Sequence, residues 1–153
     1  MPIYVDGVEQ VVDPQARADL KAHEEGHGAL GGVHVRVGSF TCPASVGHYS
    51  VAGLGFKPKS VKFWISKAPG LQTHFCCCQG LMDDLGNQNS MAWAGVWSNT
   101  FKGDSRTDLC MYTINASGVS RVTAAYVSMD DDGFTVDFSV VNNLFIVRWE
   151  AIG

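Results

Sequence analysis

Residues 51–67 read VAGLGFKPKSVKFWISK, and this stretch decides the fold. Gly53 and Gly55 bracket Leu54, and Phe56 leads into Lys57-Pro58-Lys59. Pro58 fixes its own φ and biases Lys57 toward an extended backbone. From Ser60 to Lys67 the chain alternates: Val61, Phe63 and Ile65 fall on one side, Ser60, Lys62, Trp64 and Ser66 on the other. A period of two predicts a half-buried strand, with Phe56 plugging the point where the turn meets the core.

Working outward, the same texture recurs. Val33, Val35 and Val37 alternate with His34 and Arg36, and Tyr49-Ser50-Val51 precede the turn. Further strands are expected at Thr73–Gln79, Ser90–Ser98, Leu109–Ile114, Arg121–Met129, Phe134–Val140 and Leu144–Ile152. In the Phe134 strand, Phe134, Val136, Phe138 and Val140 should face inward. About nine strands at spacings of roughly 8–12 residues predict an all-β chain, a β-sandwich or jelly-roll-like domain over residues 33–153. The two longest polar connections, Gly80–Asn89 and Asn99–Asp108, are the expected recognition loops.

Residues 1–32 differ. Ile3-Tyr4-Val5 is a short extended piece and Asp6-Gly7 a turn signal, so Val8–Val12 either pairs back as a small hairpin or lies along a neighbour. Asp13 suits a helix N-cap and Pro14 the first helical position, predicting one short helix over Pro14–Glu25 that stops at Gly26. Its apolar stripe, Ala16 and Leu20, is too thin to hold it alone. With the glycine-rich connector Gly28–Gly32, the segment reads as an N-terminal arm, helix and hinge. Ile3, Tyr4, Val5 and Leu20 are its anchoring side chains; the alternative is a helix folded back on its own domain.

The chain has 153 residues, 46% of them apolar and 17% charged, with 17 glycines, which suits a turn-rich all-β domain. A formal charge of −4 argues against non-specific nucleic-acid binding, which needs clustered Lys and Arg. No apolar run reaches the length of a membrane span, so no membrane insertion is expected. The opening MPIYVDGVEQ lacks the basic and apolar regions of a secretory signal, and five cysteines are an odd number for a disulfide framework.

Several constellations invite chemistry. His23-Glu24-Glu25-Gly26-His27 matches the H-E-x-x-H pattern of zinc hydrolases, but Gly26 and Gly28 end the helix before His27 can face His23. Cys76, Cys77 and Cys78 sit in a strand, Cys76 and Cys78 on one face and Cys77 on the other, where free cysteines pack as small apolar groups. A nucleophile formed by Cys76 or Cys110 with His48 or His74 has no spacing that pairs the two. Asp130-Asp131-Asp132-Gly133 reads as a hairpin turn, with an ion site there or at Asp83-Asp84 as the alternative. Asn115-Ala116-Ser117 is a glycosylation sequon by pattern only. Trp93 and Trp97 share a face with Met91 and Gly95, a core or subunit-interface pattern, with a saccharide platform as the alternative. Trp64, on the polar side of its strand, is the expected subunit or ligand contact.

The run Gly53-x-Gly55-Phe56-x-Pro58-Lys59-x-Val61-x-Phe63-Trp64 resembles a β-sandwich module of bacteriophage virion proteins, chiefly minor structural proteins of tails and fibres. Val37-Gly38-Ser39-Phe40-Thr41-Cys42-Pro43 is similar to its opening strand. Asp132–Val136 and the terminal Val147–Gly153 are similar to its last two strands. The resemblance covers roughly residues 33–153 and transfers no catalytic or metal residue and no cofactor. It implies a virion component made in a host cytoplasm. The expectation is a non-enzymatic, surface-displayed domain anchored by its arm to other virion proteins. It would be a homo-oligomer, a trimer favoured, in a minor tail tip or fibre protein aiding host attachment. A capsid decoration (cement) protein, a lectin-like module for host-surface glycan, and a metallohydrolase using the H-E-x-x-H match are the alternatives.

Overall fold

The computed structural model describes residues 3–5, 8–10, 32–67, 74–96 and 100–153, and every regular element among them is a strand. The expected helix Pro14–Glu25, with Leu20 and the H-E-x-x-H residues, lies outside the described residues. The chain divides into two units, Met1–Val33 and His34–Gly153. In the first, β1 (Ile3–Val5) and β2 (Val8–Gln10) form an antiparallel hairpin, Val5 opposite Val8 and Ile3 opposite Gln10. Of the two readings of the arm's opening, the hairpin is the one observed.

The second unit holds β3 (Val35–Thr41), β4 (Gly47–Ala52), β5 (Ser60–Lys67), β6 (His74–Asp83) and β7 (Gln88–Val96). These are followed by β8 (Thr100–Arg106), β9 (Met111–Ile114), β10 (Ser120–Asp130), β11 (Gly133–Val140) and β12 (Phe145–Ile152). They make two antiparallel sheets, one of four strands in the order β4-β11-β10-β9 and one of six in the order β3-β12-β5-β6-β7-β8. The alternation in β5 works as read: Val61, Phe63 and Ile65 are buried while Lys62 and Trp64 are exposed. In β11 Phe134, Val136 and Phe138 are buried, and Val140 is half-buried.

Both sheets feed one apolar core. Phe63 of β5 meets Phe134 of β11 edge-on, ring centroids 5.8 Å apart, and Trp149 of β12 meets the same ring at 5.5 Å. At the other end Phe40 of β3 packs on Tyr49 of β4 at 4.4 Å, and both meet Phe138 edge-on. Edge-to-face pairs are the favoured aromatic geometry and add to the area term of burial.

The quoted stretch is the passage from one sheet to the other. Gly53 and Gly55 take φ of 84° and 79°, which side-chain-bearing residues rarely adopt, and Leu54 between them is buried. Phe56 packs against the core, as expected, and lies over the terminal Gly153. Gly153 is tied to His34 by a reciprocal backbone pair at 2.9 and 3.0 Å.

Three expectations are corrected. Gly80–Asn89 is not a long loop, because β6 continues to Asp83 and β7 begins at Gln88. The turn between them is closed by Asp83, whose carboxylate accepts from the Leu85 and Asn87 amides at 3.0 and 2.9 Å. Asn99–Asp108 is not a loop either: Thr100–Arg106 is an edge strand, and its exposure on both faces removes the alternation that marks a strand in sequence. The hairpin turn expected at Asp130–Gly133 is present, with Asp130 paired to Gly133 and Asp131 and Asp132 between them. A Cβ on Gly133 would lie 1.8 Å from the Val51 carbonyl oxygen, so close backbone approach excludes a side chain there. Finally, Met91 and Trp93 do not face the core; Ala92 and Ala94 do. These alanines cluster with Leu109, Tyr112 and Ile114, and the chain carrying β9 lies close over β7 and leaves room only for small side chains.

Candidate functional site

The site is the outer face of the six-stranded sheet, and strand register assembles it. Directly paired residues on neighbouring strands share a face, so each register row lists side chains that stand together. One row runs Arg148, Trp64, Gln79, Met91, Ser105 across β12 to β8. The next, two residues along, runs Ser66, Cys77, Trp93, Gly103, and the opposite neighbour runs Glu150, Lys62, Leu81, Asn89. A fourth row is Phe75, Gly95, Phe101.

Glycines opposite aromatics shape this face. The Phe75 ring covers Gly95, where a Cβ would come within 2.5 Å of Cε1, and Phe101 flanks it with ring centroids 6.0 Å from Phe75. Trp93 lies beside Gly103, where a Cβ would meet its Cδ1 at 3.6 Å, an ordinary contact. An aromatic laid over a cross-strand glycine keeps the sheet covered where no side chain exists. Trp64, Phe75, Leu81, Met91 and Phe101 nonetheless stay open to solvent, from 40% for Trp64 to 63% for Phe101. Apart from Asp83 at the end of β6, charge on the face is confined to its β12–β5 side. There Lys62 and Glu150 approach at 3.5 Å, and Arg148 donates to the Ser66 hydroxyl at 3.4 Å.

The structure thus brings Trp64 and Trp93 onto one surface; Trp97 lies outside the described residues. Leu81, Phe75 and Phe101 belong to the same surface and escaped the sequence reading. Leu81 continues the alternation Phe75, Cys77, Gln79, and that signal was present but assigned to a loop. Phe101 stands alone among polar residues and carries no periodic signal. The recognition loops that would have framed a saccharide platform are strands.

The remaining candidates have other partners. Cys76 lines a cleft of about 330 Å³ with Lys67, Asn115, Arg121, Asn142 and Phe145. Its thiol donates to the Ile114 carbonyl at 2.7 Å, and burial pushes its pKa up to about 11, so it is protonated at neutral pH. Burial raises the Cys110 thiol as well, and that thiol donates to the Ala124 carbonyl at 3.3 Å. His48 faces Asp137 at 3.9 Å. Asp83 spends both oxygens on its own turn, including a 2.9 Å bond from the Asn87 side chain, which holds its carboxyl below the usual aspartate range. Asp130 accepts from Ser128 and Thr135, and Asp132 from the Gly53 and Gly55 amides. Among the described residues no three His, Cys, Asp or Glu side chains gather as a metal site, and no helix is long and apolar enough to cross a membrane.

Among the described residues, the class these observations define for His34–Gly153 is an all-β unit of two antiparallel sheets with an open apolar sheet face. Comparison with family models, with curated proteins and with solved structures finds no match for this chain.

Proposed function

We propose that residues 34–153 form a jelly-roll-like β-sandwich displayed on a bacteriophage particle, and that the protein is a non-enzymatic structural component of that particle. One observation carries this reading: the four stretches that resemble the virion module form one connected frame. Val37–Thr41 lies in β3, which pairs with Val147–Ile152 of β12, and β12 pairs in turn with Val61–Trp64 of β5. Asp132 at the head of Gly133–Val136 clasps the Gly53–Gly55 turn. Segments far apart in sequence are the mutually contacting parts of one scaffold, as a module with its own design requires.

Supporting the sandwich are the shared core of the two sheets and the sheet-switching connections β3–β4, β4–β5, β8–β9 and β11–β12. In this reading Met1–Val33 is the anchor to other virion proteins and the sheet domain points outward in a symmetric oligomer, a trimer favoured. A minor tail position aiding host attachment is the leading placement, capsid decoration the second.

The test is mass spectrometry of particles purified from cells carrying the encoding genome, followed by immunogold electron microscopy. The chain should be recovered at fixed stoichiometry with the particles and labelled at the tail. Label on the head moves the proposal to capsid decoration. Recovery only in the soluble lysate ends the virion reading.

A further inference from the structure

We propose that the outer face of β5, β6, β7 and β8 is a self-association surface, and that its occupant is the same face of a second copy of this chain. The inference rests on the display reading and changes its symmetry: a face that pairs with its own copy is isologous, so the displayed domains hold one another as two-fold pairs in place of a trimer.

Extent comes first. The patch crosses four strands, about 15 Å, and runs from Phe75 to Leu81, about 20 Å along the strand. The exposed parts of Trp64, Phe75, Leu81, Met91 and Phe101 amount to on the order of 500 Å² of mostly apolar surface, at the upper end of what a monomer tolerates. With the half-buried Trp93 and its polar neighbours, the face approaches the roughly 800 Å² that each partner contributes to a standard interface.

Charge then selects the occupant. On β6, β7 and β8 the outward positions from Phe75 to Leu81, from Asn89 to Gly95 and from Phe101 to Ser105 carry no charge, and Asp83 stands at the rim where β6 ends. A charged partner would find nothing complementary there. A second copy meets no like charge at the centre, and the rim residues Lys62, Glu150 and Arg148 offer both signs to its counterpart. Gly95 lets the Phe75 ring lie down on the sheet, where a Cβ would clash with it. Two such faces can pack at the usual separation of about 10 Å.

The experiment is light scattering of the full chain at about 100 µM, above the dissociation constants typical of interfaces of this size. The wild type should give twice the 16.5 kDa mass of one chain. Trp64→Lys with Met91→Lys, and separately Leu81→Lys, should weaken association at least tenfold and return the mass to one chain. Far-UV circular dichroism should stay unchanged, because all three side chains are already exposed. Leu85→Lys, on the exposed turn after β6, should leave the oligomer intact. A wild-type mass of one chain overturns the proposal, as does an oligomer that survives these lysines. A monomer that is still recovered in purified particles removes this inference and leaves the virion reading standing.

Discussion

The Asp132 carboxylate accepts a hydrogen bond from the Gly53 amide at 3.0 Å, across 79 positions of sequence. Its second oxygen takes the Gly55 amide at 2.5 Å, and the Leu54 amide donates to the Asp132 carbonyl at 3.1 Å. One hairpin residue therefore satisfies three successive amides of the turn that joins the sheets. Asp132→Ala should cost about 1–3 kcal/mol, the range for hydrogen bonds to a charged group. Urea unfolding reads this directly. A loss below a few tenths of a kcal/mol would show that water replaces the carboxylate.

Two glycines are required by space. A Cβ at Gly133 would sit 1.8 Å from the Val51 carbonyl oxygen, and one at Gly80 the same distance from the Cys110 carbonyl oxygen. At Gly103 the nearest atom is 3.6 Å away, an ordinary contact. Gly133→Ala and Gly80→Ala should each cost about 4 kcal/mol or more, and Gly103→Ala under about 0.5 kcal/mol. Chemical denaturation of the three variants checks the order, and equal costs would contradict the backbone packing described.

Phe63→Ala and Phe134→Ala each empty a fully buried site and should cost about 3–5 kcal/mol. The rings touch edge-on, so the double variant should lose less than the sum, by about 0.5–1.5 kcal/mol. A double-mutant cycle measures that coupling, and strict additivity would deny the contact.

Burial raises the Cys76 thiol to about 11 and the Cys78 thiol to about 12, from an ordinary value of 9.0. A folded pKa above the unfolded one means the native state holds its proton longer. The associated stability is complete below pH 9 and drains away as pH climbs through the folded values. The melting temperature should fall as pH rises above 9 toward the folded values. In native protein at pH 8, an alkylating reagent should label the exposed Cys77 first and reach Cys42, Cys78 and Cys110 only on unfolding. Peptide mapping by mass spectrometry decides it, and early labelling of Cys78 would contradict its burial.

The Asn87 side chain, with turn amides behind it, holds the Asp83 carboxyl below the usual aspartate range. A depressed carboxylate pKa supports the folded state above the unfolded value, and that support disappears as pH falls through the folded one. Carboxyl NMR titration should place Asp83 below a free aspartate, and Asn87→Ala should move it back up. An unchanged midpoint in that variant would assign the shift to the backbone amides alone.

Strong local patterns were legible in the chain itself. Val61, Phe63 and Ile65 are buried because strict alternation leaves a strand one way to hide them, and the same holds for Phe134, Val136 and Phe138. The glycines around Leu54 were legible as a turn because few residues tolerate their φ. Other features depend on which strand lies across from which. Val33, Val35 and Val37 alternate as cleanly as any strand, yet all three are exposed. Ala92 and Ala94 are interior, and Met91 exterior, because β9 passes close over β7, and that proximity is a long-range fact. β8 has no apolar face and becomes a strand only by pairing with β7. Periodicity therefore determined where strands occur and which residues alternate. Tertiary pairing alone decided which face of β7 is covered, and it set Trp64, Leu81, Met91 and Phe101 side by side, because a sheet surface is written across strands and no single segment contains it.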